Sequence, residues 1–295
     1  MTTSLKAGLI GHGIAGSMTP EMHEAEGRAQ GLNYGYRRID TATPPFEGKA
    51  LSWLLDYAED EGFAGVNITH PFKRQVVTFA DEMSETVRSM GAANTLLFQN
   101  GKRAVHNTDY IGYRSALRHT LQLGSIGKVL LLGAGGAGGA VALALIDQGC
   151  RSLLIYDPAS DRAETLVKML RSVRPTAIVS VQRDLADIET FDGVVNATPL
   201  GMASHPGMAI DPALLARRAW VSDIVYFPLE TQLLRESRAR DLVTMSGASM
   251  AVYQAVAAFS LITGRKADPS RMTAVFEEIT GISRKPVSKP KMTVV

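Results

Sequence analysis

The chain has 295 residues, 45% hydrophobic and 20% charged, which suits two ordinary globular domains. Thirty-one Lys and Arg against 29 Asp and Glu leave a formal charge of +2 with no basic block in the body of the chain, so no nucleic-acid partner is expected. The one cysteine, Cys150, excludes an internal disulfide. No apolar run reaches the ~18 residues of a membrane span, and the N-terminus MTTSLKAGLIG lacks a secretory pattern. A cytoplasmic protein with no membrane partner is expected.

Lys6 to Ile10 reads as a strand, and Thr19-Pro20 as a helix start with threonine at the N-cap and proline at the first helical position. Ser17 and Thr19 then place two hydroxyls beside free helix amides, where a carboxylate is welcome. A plain cap and a plain turn residue form the simpler local reading. Tyr34 to Ile39 is a second strand, Ala50 to Glu61 a helix and Gly65 to Thr69 a third strand. His70-Pro71-Phe72-Lys73 follows as another helix start. Asn67, Thr69 and Lys73 thus cluster at a strand's C-terminal end, where open α/β sheets bind ligands. A cation in a first helical turn is mildly unfavourable, which hints at a further role for Lys73.

Asp81 to Met90 reads as a helix. Asn94 to Phe98 and Arg103 to Asn107 flank Gln99-Asn100-Gly101-Lys102, a hairpin signal. Asn107-Thr108-Asp109 caps a helix running to about Leu121, with Asp109 a common capping type.

Val129 to Leu132 is an apolar run that meets Gly133-Ala134-Gly135-Gly136-Ala137-Gly138, then a small-residue helix to about Gln148 and a second run, Leu153 to Tyr156, ending in Asp157. Strand, glycine turn, helix and strand in that order match a dinucleotide-binding unit. Gly133 allows the tight turn, Gly135 a close approach of backbone to pyrophosphate, and Gly138 close helix packing. Asp157 stands 24 positions after Gly133, near the ~20 expected for a ribose-binding carboxylate. A carboxylate there accepts from a 2′-hydroxyl and repels a 2′-phosphate, so NAD is expected over NADP.

The remainder alternates as a doubly wound half should. Expected elements are a helix over Arg162 to Val173, a strand Ala177 to Val181, a strand Phe191 to Asn196 and a short helix Pro212 to Ala216. They continue with a strand Trp220 to Tyr226, a helix Glu230 to Arg240 and a strand Val243 to Met245. Gly247 breaks that last strand, a long helix runs from about Met250 to Thr263, and Pro269 to Thr280 closes the chain. The basic, Pro-interrupted tail 283–295 is expected to be disordered.

Taken together, SMTPEMHE, GVNITHPFK, GAANT, HNTD, GAGGAGGA, VVNATPLGM, DIVYFPLET and SMAVYQAVAAF resemble the shikimate dehydrogenase family over nearly the whole chain. The resemblance is nearest to the branch that acts on quinate and shikimate with NAD: Ser17-Met18-Thr19 replaces the usual Ser-x-Ser, and Asp157-Pro158-Ala159 stands where NADP users carry an Asn-Arg-Thr clamp. It implies a two-domain α/β fold, an N-terminal open α/β substrate domain and a Rossmann-type doubly wound parallel sheet. The substrate domain would span 1–109, completed by helices of 250–282, and the NAD domain 110–249.

By matching position, the resemblance implies Lys73 and Asp109 as the catalytic pair and Ser17 and Thr19 as the carboxylate site. It implies Asn67, Thr69, Asn94 and Gln254 as contacts to ring hydroxyls and Tyr226 as a tyrosine near the carboxylate. Gly133, Gly135, Gly136, Ala137 and Gly138 would form the phosphate loop and Asp157 the ribose site. Thr198 and Met202 would line the cofactor cleft, with Gly247 beside the nicotinamide. No metal is expected, and a homodimer is compatible with the chain. Three rivals stay open: an NADP-dependent biosynthetic shikimate dehydrogenase, an aminoshikimate dehydrogenase and a catalytically inactive dinucleotide sensor.

Overall fold

Residues 4–281 are described by a computed structural model; the tail 283–295, expected to be disordered, lies outside the described residues. Two six-stranded sheets organise them. The first contains β1 (Leu5–Gly11), β2 (Tyr34–Asp40), β3 (Phe63–Ile68), β4 (Glu82–Met83), β5 (Thr95–Gln99) and β6 (Lys102–His106), in the order β2-β1-β3-β5-β6-β4. β1, β2 and β3 run parallel, connected through α1 (Thr19–Ala29) and α2 (Leu51–Asp60). The α2 residues Leu51, Leu54, Leu55 and Ala58 recur at helical spacing and bury against Ile10, Ile39, Val66 and Ile68. β5 and β6 form the expected hairpin. Asn100 and Gly101 both take positive φ, 54° and 69°, as a two-residue turn matched to strand twist requires.

Two local expectations for this half are corrected. Asp81 to Met90 is not one helix: β4 pairs with β6, and α3 (Glu85–Met90) begins only after Ser84, whose hydroxyl accepts from the Val87 N–H. The strand partner lies some twenty residues away, so no local pattern reveals it. Lys73 is not in a first helical turn either. The His70–Pro71 peptide is cis, residues 70–74 form a turn, and only Gln75–Phe79 winds into a 3-10 helix. The charge–dipole misfit suggested for Lys73 therefore does not arise.

The chain leaves the first sheet through α4 (Thr108–Ala116), which relaxes into a wider turn at Leu117–Leu121. The second sheet contains β7 (Lys128–Leu132), β8 (Ser152–Tyr156), β9 (Val179–Val181), β10 (Gly193–Asn196), β11 (Trp220–Asp223) and β12 (Val243–Ser246). All are parallel, in the order β12-β11-β10-β7-β8-β9. The direction of winding reverses between β10 and β7, the crevice where such sheets bind ligands. α5 (Gly136–Asp147) and α6 (Ser160–Val173) cover one face; α7 (Gln232–Ala239) packs on the other. Strands buried on both faces carry unbroken apolar runs, as Val129 to Leu132 does.

α8 (Gly247–Thr263) and α9 (Pro269–Thr280) end the described chain. Gly247 ends β12 as expected, and α8 begins there rather than at about Met250. Met250 packs in the second sheet's core, whereas Val252, Ala255 and Phe259 pack with Met22 of α1 and Met272 and Phe276 of α9. One helix thus runs from one unit to the other, beside α4.

Candidate active site

Lys73 and Asp109 meet. The Lys73 ammonium donates to Asp109 Oδ2 at 2.6 Å, with the side chains 25% and 12% exposed. Each is delivered by a local device. The turn after β3 is tied down where Ala93 N–H donates to the Lys73 carbonyl at 2.8 Å. Asp109 had been read as a capping type, but Asn107 takes that role and accepts from the Tyr110 N–H at 3.0 Å. The Asp109 carboxylate, in the first turn of α4, is left free to face Lys73. Its other oxygen, Oδ1, accepts from Asn94 Nδ2 at 3.0 Å.

The remaining expected substrate residues fall into two groups. Thr69, the residue after β3, donates its N–H to the Ile10 carbonyl, four positions before Lys73. Gln254 on α8 lies against Gly112 of α4, where a Cβ on that glycine would stand 2.7 Å from the Gln254 nitrogen. Close packing of α8 thus carries Gln254 to the helix that bears Asp109. Ser17 Oγ donates to Thr19 Oγ1 at 3.3 Å; Thr19, expected at the N-cap, is instead the first residue of α1, after Met18. Asn67 is different. It is 3% exposed, its amide group donates to the Asn94 carbonyl and Thr95 Oγ1, and its own oxygen accepts from the Tyr36 hydroxyl. Asn94 is equally buried, at 3%, and equally bonded within the protein.

Tyr226 comes from the second unit, just beyond β11, not within the strand as expected. The residue is 41% exposed; desolvation raises its pKa, the Lys73 charge opposes this, and the Asp109 charge adds to it. A tyrosine of one unit thus lies near enough to feel both members of the ion pair in the other.

On the opposite wall the glycine turn is built of backbone. Gly133 takes φ +99°, and a Cβ on Gly138 would stand 2.2 Å from the Gly133 carbonyl oxygen. α5 can reach the turn only because that Cβ is missing. Gly135 and Gly136 have nothing within 4 Å of where a Cβ would be, so the start of α5 presents free amides to open space, with Ala137 following. That face fits a pyrophosphate. Asp157 Oδ2 accepts from the Ala134 N–H at 2.8 Å and Oδ1 from the Ala159 N–H at 2.9 Å, which fixes the carboxylate at the turn. Beside it lies a hollow of about 120 Å³ lined by Asp157, Pro158, Ser160, Gln182 and Arg183 among others.

Thr198 stands after β10 with its hydroxyl on Asn196 Oδ1 at 2.6 Å, and Met202 is 40% exposed. Gly247 lets α8 start against β11's exit, since a Cβ there would stand 2.3 Å from the Ile224 carbonyl oxygen. Sequence reasoning missed the anchor beneath these loops. Asp223, fully buried, accepts from Asn196 Nδ2, the Val225 N–H and the Thr231 hydroxyl. Burial raises its pKa, and those donors oppose the rise. The signal was present: two apolar strands each end in a polar residue, Asn196 and Asp223. Thr95 and Thr108 were missed likewise, although both lie in motifs quoted above.

The geometry is that of a dinucleotide-dependent enzyme with a polar, acid–base side and a backbone-built cofactor side. Residues 9–96 match the family model described as shikimate dehydrogenase substrate binding domain. The quinate/shikimate dehydrogenase (NAD(+)) of Corynebacterium glutamicum strain R is 45% identical over 280 residues, covering 94% of this chain and 99% of that protein. The shikimate dehydrogenase (NADP(+)) of Pseudarthrobacter chlorophenolicus is 42% identical over 282 residues, covering 94% of this chain and 96% of that one. Among solved structures, a quinate dehydrogenase from Corynebacterium glutamicum in complex with NAD superposes with a TM-score of 0.90 at 43% identity, over 93% of this chain and 99% of that one. The chain belongs to the shikimate dehydrogenase family.

Proposed function

We propose that this protein is an NAD-dependent oxidoreductase that interconverts quinate and shikimate with 3-dehydroquinate and 3-dehydroshikimate. The observation that carries the reading is the 2.6 Å Lys73–Asp109 contact, in a chain whose second unit carries the Gly133–Gly138 turn. Residues 1–109, completed by 250–282, form the substrate side, and 110–249 the cofactor side.

NAD, held by the amides of Gly133, Gly135, Gly136, Ala137 and Gly138 and by Asp157, supplies the hydride acceptor. Lys73 and Asp109 work at the ring hydroxyl as one unit: they orient it and take its proton as the carbonyl forms, and return that proton in reduction. Thr69, Asn94 and Gln254 hold the other ring hydroxyls, and Ser17, Thr19 and Tyr226 the carboxylate. A site lined this way rejects analogues that leave a buried polar group unpaired. Thr198, Met202 and Gly247 shape the nicotinamide end. The Asp157 carboxylate faces a ribose 2′-hydroxyl and repels a 2′-phosphate, which favours NAD. Among the described residues no helix is long and apolar enough to cross a membrane; the enzyme's place in this reading is the cytoplasm, where its cofactor is found.

Purified protein offered NAD or NADP with quinate, shikimate and aminoshikimate, followed at the nicotinamide absorbance, tests the proposal. Turnover of quinate or shikimate with NAD is expected. Turnover with NADP alone, or of aminoshikimate alone, replaces it by one of the two enzyme rivals. Binding of NAD with no turnover of any ring alcohol replaces it by the sensor.

A further inference from the structure

Behind Lys73 and Asp109 lies a polar chain of which the reaction as described touches only the Asn94 end. Asn67, Asn94, Thr95 and Thr108 are each at most 3% exposed, and Tyr36 is 7% exposed. The sense of every hydrogen bond in it follows from its fixed donors and acceptors. The Thr108 backbone N–H lies 2.6 Å from the Asn94 side chain, so the Asn94 atom facing it is the oxygen. Asn94 Nδ2 is thereby turned onto Asp109 Oδ1. The Asn94 backbone carbonyl, 3.2 Å from the Asn67 side chain, requires Nδ2 there, and the same group donates to Thr95 Oγ1 at 3.0 Å. Asn67 Oδ1 then faces the Tyr36 hydroxyl at 2.8 Å, which must donate.

The two threonines close the gap. Thr95 Oγ1 already accepts from Asn67, so its own proton passes onward to Thr108 Oγ1 at 3.2 Å or to Asn94 Oδ1 at 3.4 Å. The Thr108 hydroxyl donates to Asn94 Oδ1 at 3.1 Å. Every proton therefore points the same way, from Tyr36 through Asn67, Thr95, Thr108 and Asn94 to the Asp109 carboxylate. Aligned bonds of this kind polarise one another. Reversing the Asn94 carboxamide sets its oxygen against a carboxylate and its NH₂ against the Thr108 N–H, stranding a buried donor.

We propose that Thr108 and Tyr36 are positioning residues for the acid–base pair: the one-way chain locks Asn94 onto one oxygen of Asp109, so that the other oxygen holds the Lys73 ammonium in line with the reacting hydroxyl. The proposal rests on the reading of Lys73 and Asp109 given above. Neither residue touches substrate; each acts through Asn94 and Asp109.

The test is a kinetic cycle on the full-length enzyme with NAD and shikimate. Thr108→Val keeps the shape and removes the hydroxyl; it lowers kcat about tenfold and leaves KM for NAD unchanged. Thr108→Ser restores most of kcat. In an Asp109→Asn background the same Thr108→Val change has almost no further effect, because its action runs through that carboxylate. Tyr36→Phe, at the far end, lowers kcat by a few-fold with the same dependence on Asp109, and it carries the test if Thr108→Val does not fold. An unchanged kcat in both folded variants overturns the proposal, as does an equal loss with Asp109→Asn present or a Thr108→Ser variant no better than valine. Full activity of Asp109→Asn alone overturns the acid–base reading itself, and is told apart because it appears before either positioning residue is altered.

Discussion

One wall of the crevice is made of side chains and the other of backbone. Lys73 and Asp109 stand 36 residues apart in the chain and meet only because β3, β5 and α4 are stacked in one unit, with Asn94 between them. The cofactor wall is a single run, β7 through β8, whose donors are main-chain amides and whose shape is set by two missing Cβ atoms at Gly133 and Gly138. A wall of side chains can be tuned one group at a time, so single substitutions there act on the chemical step. A backbone wall has few groups to remove, so substitutions there act on binding and on cofactor choice.

The sharpest way to break this contrast is Lys73→Ala. It is expected to lower kcat by ~10²–10⁴, the range for losing an acid–base group, with a weaker effect on KM for NAD. A kcat near that of the unaltered enzyme in steady-state assays removes lysine from the chemistry. On the other wall, Asp157→Ala takes away the ribose acceptor and also the anchor on the Ala134 N–H. KM for NAD is expected to rise about tenfold, with the rejection of NADP relaxed and kcat changed least; an unaltered ratio of kcat/KM for the two cofactors assigns that choice to another residue.

The smallest effect concerns what supports the side-chain wall. His23, fully buried, packs its ring 4.7 Å from that of Tyr36 and pairs Nδ1 with the Tyr34 hydroxyl at 2.9 Å. Burial pushes its pKa down to about 3. Between there and the usual histidine value near ~6.5, the unfolded chain holds a proton that the native protein does not. Stability therefore falls as pH drops through that window, by ~1.4 kcal/mol per pH unit from this residue. A His23→Gln variant is expected to show a shallower loss between pH 6 and 4 in urea titrations, and equal slopes contradict the assignment.

The contrast also decides what could be read from the chain alone. The glycine turn, the hairpin at Asn100-Gly101 and the strands of the second sheet were legible because their causes are local: a positive φ, a close approach, an apolar run covered on both faces. The first sheet was less so. Pro71 looked like a helix start, but the chain turns there and delivers Lys73 from a loop. Asn107, Thr108 and Asp109 are three plausible caps in a row; Asn107 caps through its own bond to the Tyr110 N–H, which frees Asp109. β4 needs β6 to exist. The bonds of Asn67 to Tyr36 and Thr95 cross to other strands, so no local pattern reveals them.

The account stands most directly on where the reacting hydroxyl sits. A crystal structure with NAD and shikimate bound settles it: the account predicts the ring oxygen that is oxidised within ~3 Å of Lys73 Nζ, with Asp109 on the same side and the nicotinamide ring across from them. A ring alcohol seated away from this pair, or a cofactor bound elsewhere than the Gly133–Gly138 turn, contradicts it.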